Sequence, residues 1–289
     1  REYEQIRLIG EESIKDNTEK MLSPKEDKVT VFNTLSWPRS QVVVIDGKGF
    51  KAVTDAGGHY PVQVKKEDGT IAFLAENIPS MGYRCYTRTN EEQEKCGCKY
   101  NGTDQMRFEN PWYEICMDLD GEITSLKEKA TGREILKDGK NGNHLLLLED
   151  IPVEWGSAWE TTVKRDDKPS LPFKTVELEV TENNGLYTVV HIEKDVHHSH
   201  ISQDIIVYQH KPFIEFKTEV DWDERQKMLR VEFPVQINAL NARYDVAFGN
   251  AEHPNHATTS YDQARFEVCG HKWGDVSDGG MGVALLNDC

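Results

Sequence analysis

The stretch Thr175-Val176-Glu177-Leu178-Glu179-Val180 alternates apolar with charged side chains. Successive side chains of a β-strand point to opposite faces of a sheet, so this alternation predicts a strand with one buried and one solvent-facing side. The stretches 201–208, 213–222 and 228–237 continue the strand pattern. So long a series of strands exceeds a simple immunoglobulin-type domain, and we predict one large β-sandwich over residues 105–289.

Shorter strands precede this block and are separated by turn chemistry. Val42-Val43-Val44-Ile45 runs directly into Asp46-Gly47, and a second Asp-Gly pair stands at Asp68-Gly69. Asp-Gly pairs favour tight hairpin turns because both residues tolerate positive backbone φ. The stretch 90–104 is charged and almost free of apolar residues, which is typical of a linker. We therefore predict a small antiparallel β-sandwich with its linker over residues 24–104.

The first segment, residues 1–23, is predicted to be helical. Ile6, Ile9 and Ile14 are separated by charged residues, at a spacing that suits an amphipathic helix, although Gly10 weakens the pattern. A single helix cannot bury its apolar side by itself. Two partners remain open: the other helices of a bundle, of which this would be the last member, or the β-sheet that follows.

Composition excludes several classes of partner. The chain has 34 basic and 50 acidic residues, a formal net charge of −16, which repels both a nucleic-acid backbone and an anionic membrane. No stretch approaches the roughly 18 apolar residues of a membrane span. Six cysteines are too few for a disulfide scaffold in a chain of this length. The single glycosylation sequon at Asn101 gives no argument for secretion either. We expect a cytoplasmic protein that binds neither nucleic acid nor membrane.

Both ends of the sequence resemble internal positions of a longer polypeptide. The sequence begins at Arg1 and stops at Cys289, directly after the apolar run Gly282-Val283-Ala284-Leu285-Leu286. A strand that apolar normally continues into a turn, so we expect a piece of a longer polypeptide. A natural processing site at the start is the alternative.

The string His197-His198-Ser199-His200 is the most metal-like in the chain. In a strand, His198 and His200 would share a face, and two imidazoles can ligate zinc. No third ligand can be named, and the strand pattern that follows favours an exposed hairpin turn with a polar tip. We therefore assign no metal ligand. Among 50 acidic residues no catalytic carboxylate pair can be selected either, so no catalytic residue is assigned.

Two tryptophans around small residues form the best candidate for ligand binding. Trp155-Gly156-Ser157-Ala158-Trp159-Glu160 follows the apolar run 145–148. On a loop, the indoles could stack on a sugar ring while Glu154 or Glu160 binds its hydroxyls. Alternatively, both indoles fill the sandwich core. A second aromatic stretch, 261–273, is predicted to be ordinary strand packing.

Several strings together resemble glycoside hydrolase family 38, the α-mannosidases, and most closely the cytosolic and bacterial branch. The matching strings span the chain in order: Val31-Phe32-Asn33-Thr34-Leu35-Ser36-Trp37-Pro38-Arg39, Ile78-Pro79-Ser80-Met81-Gly82-Tyr83, Phe108-Glu109-Asn110, Asp120-Gly121-Glu122-Ile123-Thr124-Ser125-Leu126, Thr131-Gly132-Arg133-Glu134-Ile135-Leu136, residues 259–268 and Ala284-Leu285-Leu286-Asn287-Asp288-Cys289.

The resemblance implies a layout and a reaction. The chain would hold the end of a three-helix bundle, a small β-domain and a large sandwich of galactose-mutarotase-like type, and would partner a catalytic α/β domain of the same polypeptide. The family hydrolyses α-mannosides with retention, through a covalent intermediate on an aspartate and with a divalent metal, usually zinc. No position here matches the family's nucleophile or metal ligands. The resemblance therefore implies zinc or another divalent metal for the parent enzyme and no cofactor in this chain.

The resemblance also assigns a role to the tryptophan loop. Trp155, Ala158 and Trp159 fit a family motif of Trp-Asp-Ala-Trp-Asp type that reaches toward the sugar, so Trp155, Trp159 and Glu160 are the predicted substrate-binding residues. Gly156-Ser157 and Glu160 depart from the motif's aspartates, and an added methylene moves a carboxylate by more than a hydrogen bond tolerates. Two alternatives stay open: a stand-alone sugar-binding sandwich, and an aldose-epimerase-like enzyme, which needs a positioned His and Glu.

Overall fold

The structure, a computed structural model, describes residues 2–22, 27–91, 106–150 and 170–288. Nearly all of its regular elements are strands, so the mainly β fold class is confirmed. The chain forms two compact units, residues 1–98 with 184–186 and residues 99–183 with 187–289. The three-part division at residues 23 and 104 stays a prediction. In the described part of the chain, no helix has the length and apolar character needed to cross a membrane.

The N-terminal unit contains two three-stranded antiparallel sheets, ordered β1-β6-β3 and β2-β5-β4. Their apolar sides share one core, in which the rings of Phe73 on β5 and Tyr86 on β6 meet with centroids 4.8 Å apart. Its elements are α1 (Glu2–Met21), β1 (Lys28–Asn33), β2 (Arg39–Asp46), β3 (Ala52–Thr54), β4 (Gln63–Lys65), β5 (Thr70–Ile78) and β6 (Gly82–Thr89).

Helix α1 covers the segment for which the isoleucine spacing predicts a helix. Ile6, Ile9 and Ile14 remain 65%, 67% and 69% exposed, so the helix does not bury its apolar side chains on the sheets. Its place in a bundle stays a prediction.

The described residues of the C-terminal unit form thirteen strands and one short helix. They are β7 (Met106–Glu109), β8 (Tyr113–Met117), β9 (Ile123–Glu128), β10 (His144–Glu149), β11 (Lys174–Asn183), β12 (Tyr187–Val196), β13 (Ser199–Tyr208), β14 (Ile214–Asp221), β15 (Lys227–Glu232), β16 (Asn241–Val246), β17 (Gly249–Pro254), α2 (Ser260–Ala264), β18 (Trp273–Ser277) and β19 (Gly282–Leu286).

A two-layer core lies at the centre of this unit. The sheet β11-β12-β13-β14 packs against β7-β8-β9 through buried residues of both sheets. These are Met106, Phe108, Ile115, Met117, Ile123, Val190, Ile192, Ile205 and Val207. Two more sheets, β10-β15 and β17-β16-β18-β19, complete the described elements of the unit.

Two expectations about individual residues were wrong. A register shift between Thr175 and Glu177 interrupts the alternation of β11 and leaves Val176 55% exposed, while Leu178 and Val180 pack against the core as predicted. The stretch 261–273 does not begin as a strand. Thr259 and Asp262 form a reciprocal capping box that starts α2, and these local hydrogen bonds favour a helical turn over a strand.

Strand β12 divides its side chains strictly between the two faces. Val190 and Ile192 point into the core, whereas His191, Glu193 and Asp195 lie on the outer face beside β13. The outer side chains form a chain of contacts. His191 Nδ1 lies 2.7 Å from Asp204 Oδ1 and its Nε2 lies 2.8 Å from Glu193 Oε1.

The same network continues to His200 on β13. Its Nε2 contacts Glu193, its Nδ1 lies 2.8 Å from Asp195 Oδ1, and Ser202 Oγ donates to Glu193 Oε1 at 3.0 Å. Hydrogen bonds to Asp204 and then Glu193 raise the pKa of His191, and those to Asp195 and then Glu193 raise the pKa of His200. Burial alone would raise the pKa of Glu193, but its contacts with Ser202 and the two imidazoles hold it below its ordinary value.

The turn between β8 and β9 is pressed against the inner face of β12. Asp118 Oδ1 accepts hydrogen bonds from the N–H groups of Asp120 at 3.0 Å and Glu122 at 2.9 Å. Gly121 has a φ of +71°, and a Cβ placed on it would lie 2.1 Å from Ile192 Cδ1. Only glycine fits both the backbone angle and the space. The turn therefore holds the side chains of Asp120 and Glu122 at the end of the sandwich.

The outer histidine network predicts a pH-dependent stability. Because the folded pKa values are raised, the stabilisation is complete below the unfolded histidine pKa of about 6.5 and is lost as the pH rises through the folded values. We expect the urea midpoint to fall as the pH rises above about 6.5. The double variant His191→Gln/His200→Gln should lose this dependence, whereas His253→Gln, outside the network, should keep it. An unchanged slope in the double variant would contradict the assignment.

The close packing of Gly121 predicts a large cost for a single methyl group. Gly132 has the same φ of +71°, but no atom lies within 4 Å of the position that a Cβ would occupy there, so it is a matched control. We expect Gly132→Ala to lower the free energy of unfolding by about 1 kcal/mol through backbone strain alone. Gly121→Ala adds overpacking and should cost about 2–4 kcal/mol in the same urea titration. Equal losses would show that Ile192 gives way without cost.

Candidate functional site

A cavity of about 300 Å³ lies at one end of the large sandwich. The β8–β9 turn, the start of β10, the segment 170–173 and strands β11 and β12 enclose it. Its polar lining consists of Asp120, Glu122, His144, Ser170, Thr175 and Lys194. Its apolar lining consists of Leu145, Leu146, Leu171, Pro172 and Phe173.

Hydrogen bonds hold both carboxylates of the cavity in place. His144 Nδ1 lies 2.7 Å from Glu122 Oε1, and Asn141 Nδ2 donates to Glu122 Oε2 at 2.9 Å. Thr175 Oγ1 donates to Asp120 Oδ1 at 2.8 Å. Each carboxylate is thus oriented while keeping lone pairs for a further donor.

Lys194 is the unusual member of the lining. It follows Val190 and Ile192 on the inner face of β12 and is only 4% exposed. Its ammonium has no hydrogen bond and no ion pair within 4.0 Å among the described residues, and the negative charges of Glu122, Asp120 and Asp118 act on it from farther away. Burial lowers the pKa of Lys194, and these carboxylates oppose the shift.

Burial also shifts the pKa of Asp118, an acidic residue in the same turn as Asp120. Loss of solvent raises the pKa of Asp118, although the N–H of Glu122 donates to its carboxylate. Within the described ranges, no three His, Cys, Asp or Glu side chains are grouped so that they could hold a metal ion. The cavity therefore offers one buried cation, two oriented carboxylates and an apolar wall.

The predicted sugar-binding residues Trp155, Trp159 and Glu160 lie outside the described residues, so their role stays a prediction. The described chain on either side of them borders the cavity. The preceding apolar run 145–148 forms most of β10, as its apolarity indicates, and Leu147 N donates to Ser170 Oγ at 2.9 Å.

Sequence reasoning missed the cavity residues, although one signal was visible. Lys194 stands where the period of two places a core residue, between Ile192 and Val196, both 1% exposed. A lysine at a core position marks either a paired charge or a functional group. Asp120, Glu122 and His144 carry no comparable pattern.

The histidine string forms the turn of a hairpin, as the strand pattern favours. β12 ends at Val196 and β13 begins at Ser199, so His197 and His198 make the connection. His197 has a φ of +53°, and its Nδ1 lies 2.6 Å from Glu224 Oε2. His198 therefore lies in the turn and not on a strand, so the strand alternation that would place it on one face with His200 does not apply.

Comparison with known proteins supplies relatives along the whole chain. The profile of the glycosyl hydrolases family 38 C-terminal domain matches residues 108–289. Human alpha-mannosidase 2C1 is 30% identical over 99% of this chain, and alpha-mannosidase G of Dictyostelium discoideum is 38% identical over 66% of it. The chain spans 26% and 18% of the length of these two relatives.

A solved structure shares the fold. The crystal structure of an alpha-mannosidase from Enterococcus faecalis V583 superposes with a TM-score of 0.65 at 12% sequence identity. The match covers 90% of this chain and 37% of that protein. Together with the profile match over residues 108–289, the relatives establish that this chain belongs to glycoside hydrolase family 38.

Proposed function

We propose that this chain is the non-catalytic C-terminal portion of a retaining exo-α-mannosidase that breaks down α-mannoside oligosaccharides in the cytoplasm. It supports the catalytic α/β domain of the same polypeptide and completes the sugar pocket. The observation that supports this proposal is the position of the similarity within the family. The chain covers about a quarter of human alpha-mannosidase 2C1 and matches the family's C-terminal domain.

The proposed contribution to the pocket comes from residues 155–160, which follow β10 in the sequence. Trp155 and Trp159 would stack on the apolar face of a sugar, and Glu160 would accept a hydrogen bond from a hydroxyl. The antiparallel pairing of β10 with β15, from His144 opposite Glu232 to Glu149 opposite Lys227, supports this role because it fixes the strand that precedes these residues in the chain.

Zinc or another divalent metal is part of the proposal for the parent enzyme only. Residues of this chain that the structure describes contain no set of three or more ligand-type side chains suited to a metal ion. They do not fit a metal centre, so no step of the proposed role passes through one. The proposed task of this chain is to position and enclose the sugar.

A second function is favoured by one feature of the cavity. His144 and Glu122 lie 2.7 Å apart, and a paired His and Glu is what an aldose-epimerase-like enzyme needs as acid and base. This alternative makes the chain an enzyme in its own right. It differs from the mannosidase proposal in the activity expected of the isolated chain.

Activity assays of the 289-residue chain separate the two functions. We expect no turnover of an aryl α-mannoside with added zinc, because no residue of this chain matches the family's nucleophile. We equally expect the mutarotation of glucose, followed by polarimetry, to proceed at the buffer rate. Mannoside turnover above the blank would contradict the non-catalytic role, and faster mutarotation would favour the second function. A full-length α-mannosidase and an aldose epimerase serve as positive controls.

The loop's role is tested in the full-length parent. Trp159→Ala should lower kcat/KM for an aryl α-mannoside about ten-fold, the order expected when a stacked aromatic ring is removed. Trp222→Ala, a partly exposed tryptophan just beyond β14, is the matched control and should leave kcat/KM unchanged. Equal values of kcat/KM for Trp159→Ala and the parent would contradict the stacking role.

A further inference from the structure

The side chain of Lys194 is buried and has no direct partner among the described residues. The residue is 4% exposed, lines the cavity and makes no direct hydrogen bond or ion pair with any described residue. An ammonium has three donors. Lys194 lines the cavity and its Nζ is not among the described buried polar atoms that lack a partner, so these donors are open to water or to a ligand there. A ligand that supplies acceptors in the cavity would take the place of this water.

The charges around the cavity limit what that ligand can be. The negative charges of Glu122, Asp120 and Asp118 act on the one ammonium in the described lining, so carboxylates outnumber cations and the site repels an anion. The ammonium in turn repels a metal cation, in keeping with the lack of a metal-binding group among the described residues. The remaining class is a neutral ligand that both donates and accepts hydrogen bonds.

The lining of the cavity has the chemistry that a sugar ring requires. Glu122 and Asp120 offer acceptors for hydroxyl protons, while Lys194 offers donors to hydroxyl oxygens. Pro172 and Phe173 also line the cavity, and their rings suit the apolar C–H face of a pyranose. A volume of about 300 Å³ is at the lower end of small-molecule sites, which run from roughly 300 to 1,000 Å³.

We propose that this cavity is a binding site for a neutral hexopyranose, in which Lys194 donates to the ring hydroxyls and Asp120 and Glu122 accept from them. The choice of sugar rests on the proposed function, since the parent acts on α-mannosides. The site itself needs no catalytic domain, because every residue named belongs to the large sandwich.

Binding of methyl α-D-mannopyranoside to the 289-residue chain tests the site by isothermal titration calorimetry at millimolar glycoside. We expect Lys194→Met to weaken binding at least about ten-fold, the loss expected for one charged hydrogen bond. Lys217→Met, the same change at an exposed lysine on β14, should leave binding unchanged. Lys194→Met should also unfold at an equal or higher urea concentration, because it removes a buried charge, so loss of binding cannot be attributed to misfolding.

Measuring the affinity for the glycoside at several pH values gives a second test. A purely structural role of Lys194 would not make the affinity depend on its protonation. Wild-type affinity should decline as the pH rises toward the pKa of an ordinary lysine, because the neutral amine is a weaker donor. Lys194→Arg stays protonated at these pH values, so its affinity for the glycoside should not change with pH over the same range.

Three results would overturn the proposal: no binding by the wild-type chain, equal binding by Lys194→Met, or binding of inorganic phosphate in preference to the glycoside. None of these affects the mannosidase proposal, which depends on the turnover assays and on the parent enzyme. Turnover by the isolated chain would overturn that proposal and leave the sugar site standing.

Discussion

The two-sided packing of β12 is the constraint on which the large sandwich depends. Val190 and Ile192 must face the sheet β7-β8-β9, and the pleat then sends His191 and Glu193 outward and Lys194 inward. A shift of register by one residue would bury the carboxylates and expose the core. The same alternation therefore explains the apolar core, the outer histidine network and the buried lysine.

This constraint links stability to the candidate site. Lys194 stands in the inner row of β12 between Val196 and Ile192, the residue that packs against the turn carrying Gly121. A hydrophobic side chain at this position would bury well, whereas an unpaired ammonium costs stability. Proteins commonly retain such costs where a function requires them. The carboxylates of Asp120 and Glu122 reduce the cost without forming a direct pair, which leaves the ammonium available to a ligand.

Local patterns predicted much of the fold. Alternation identified the strands on both sides of the His197–His198 turn, and Asp46-Gly47 marked the end of β2. Two predictions failed because of local features that alternation does not reveal. A register shift turned Val176 outward, and the capping box of Thr259 and Asp262 replaced an expected strand with a helical turn. The site was less accessible to sequence reasoning, because Glu122, His144, Phe173 and Lys194 are distant in the chain and meet only after the four parts of the fold that carry them have packed together. Spacing cannot reveal such a group, although the lysine at a core position of β12 was a visible anomaly.

Sequencing the transcript upstream of the codon for Arg1 tests the central claim most directly. If this chain is the C-terminal portion of an α-mannosidase, the reading frame must continue upstream into an α/β domain that carries the family's aspartate nucleophile and its His and Asp metal ligands. A start codon immediately before Arg1, or an upstream domain without these residues, would contradict the account.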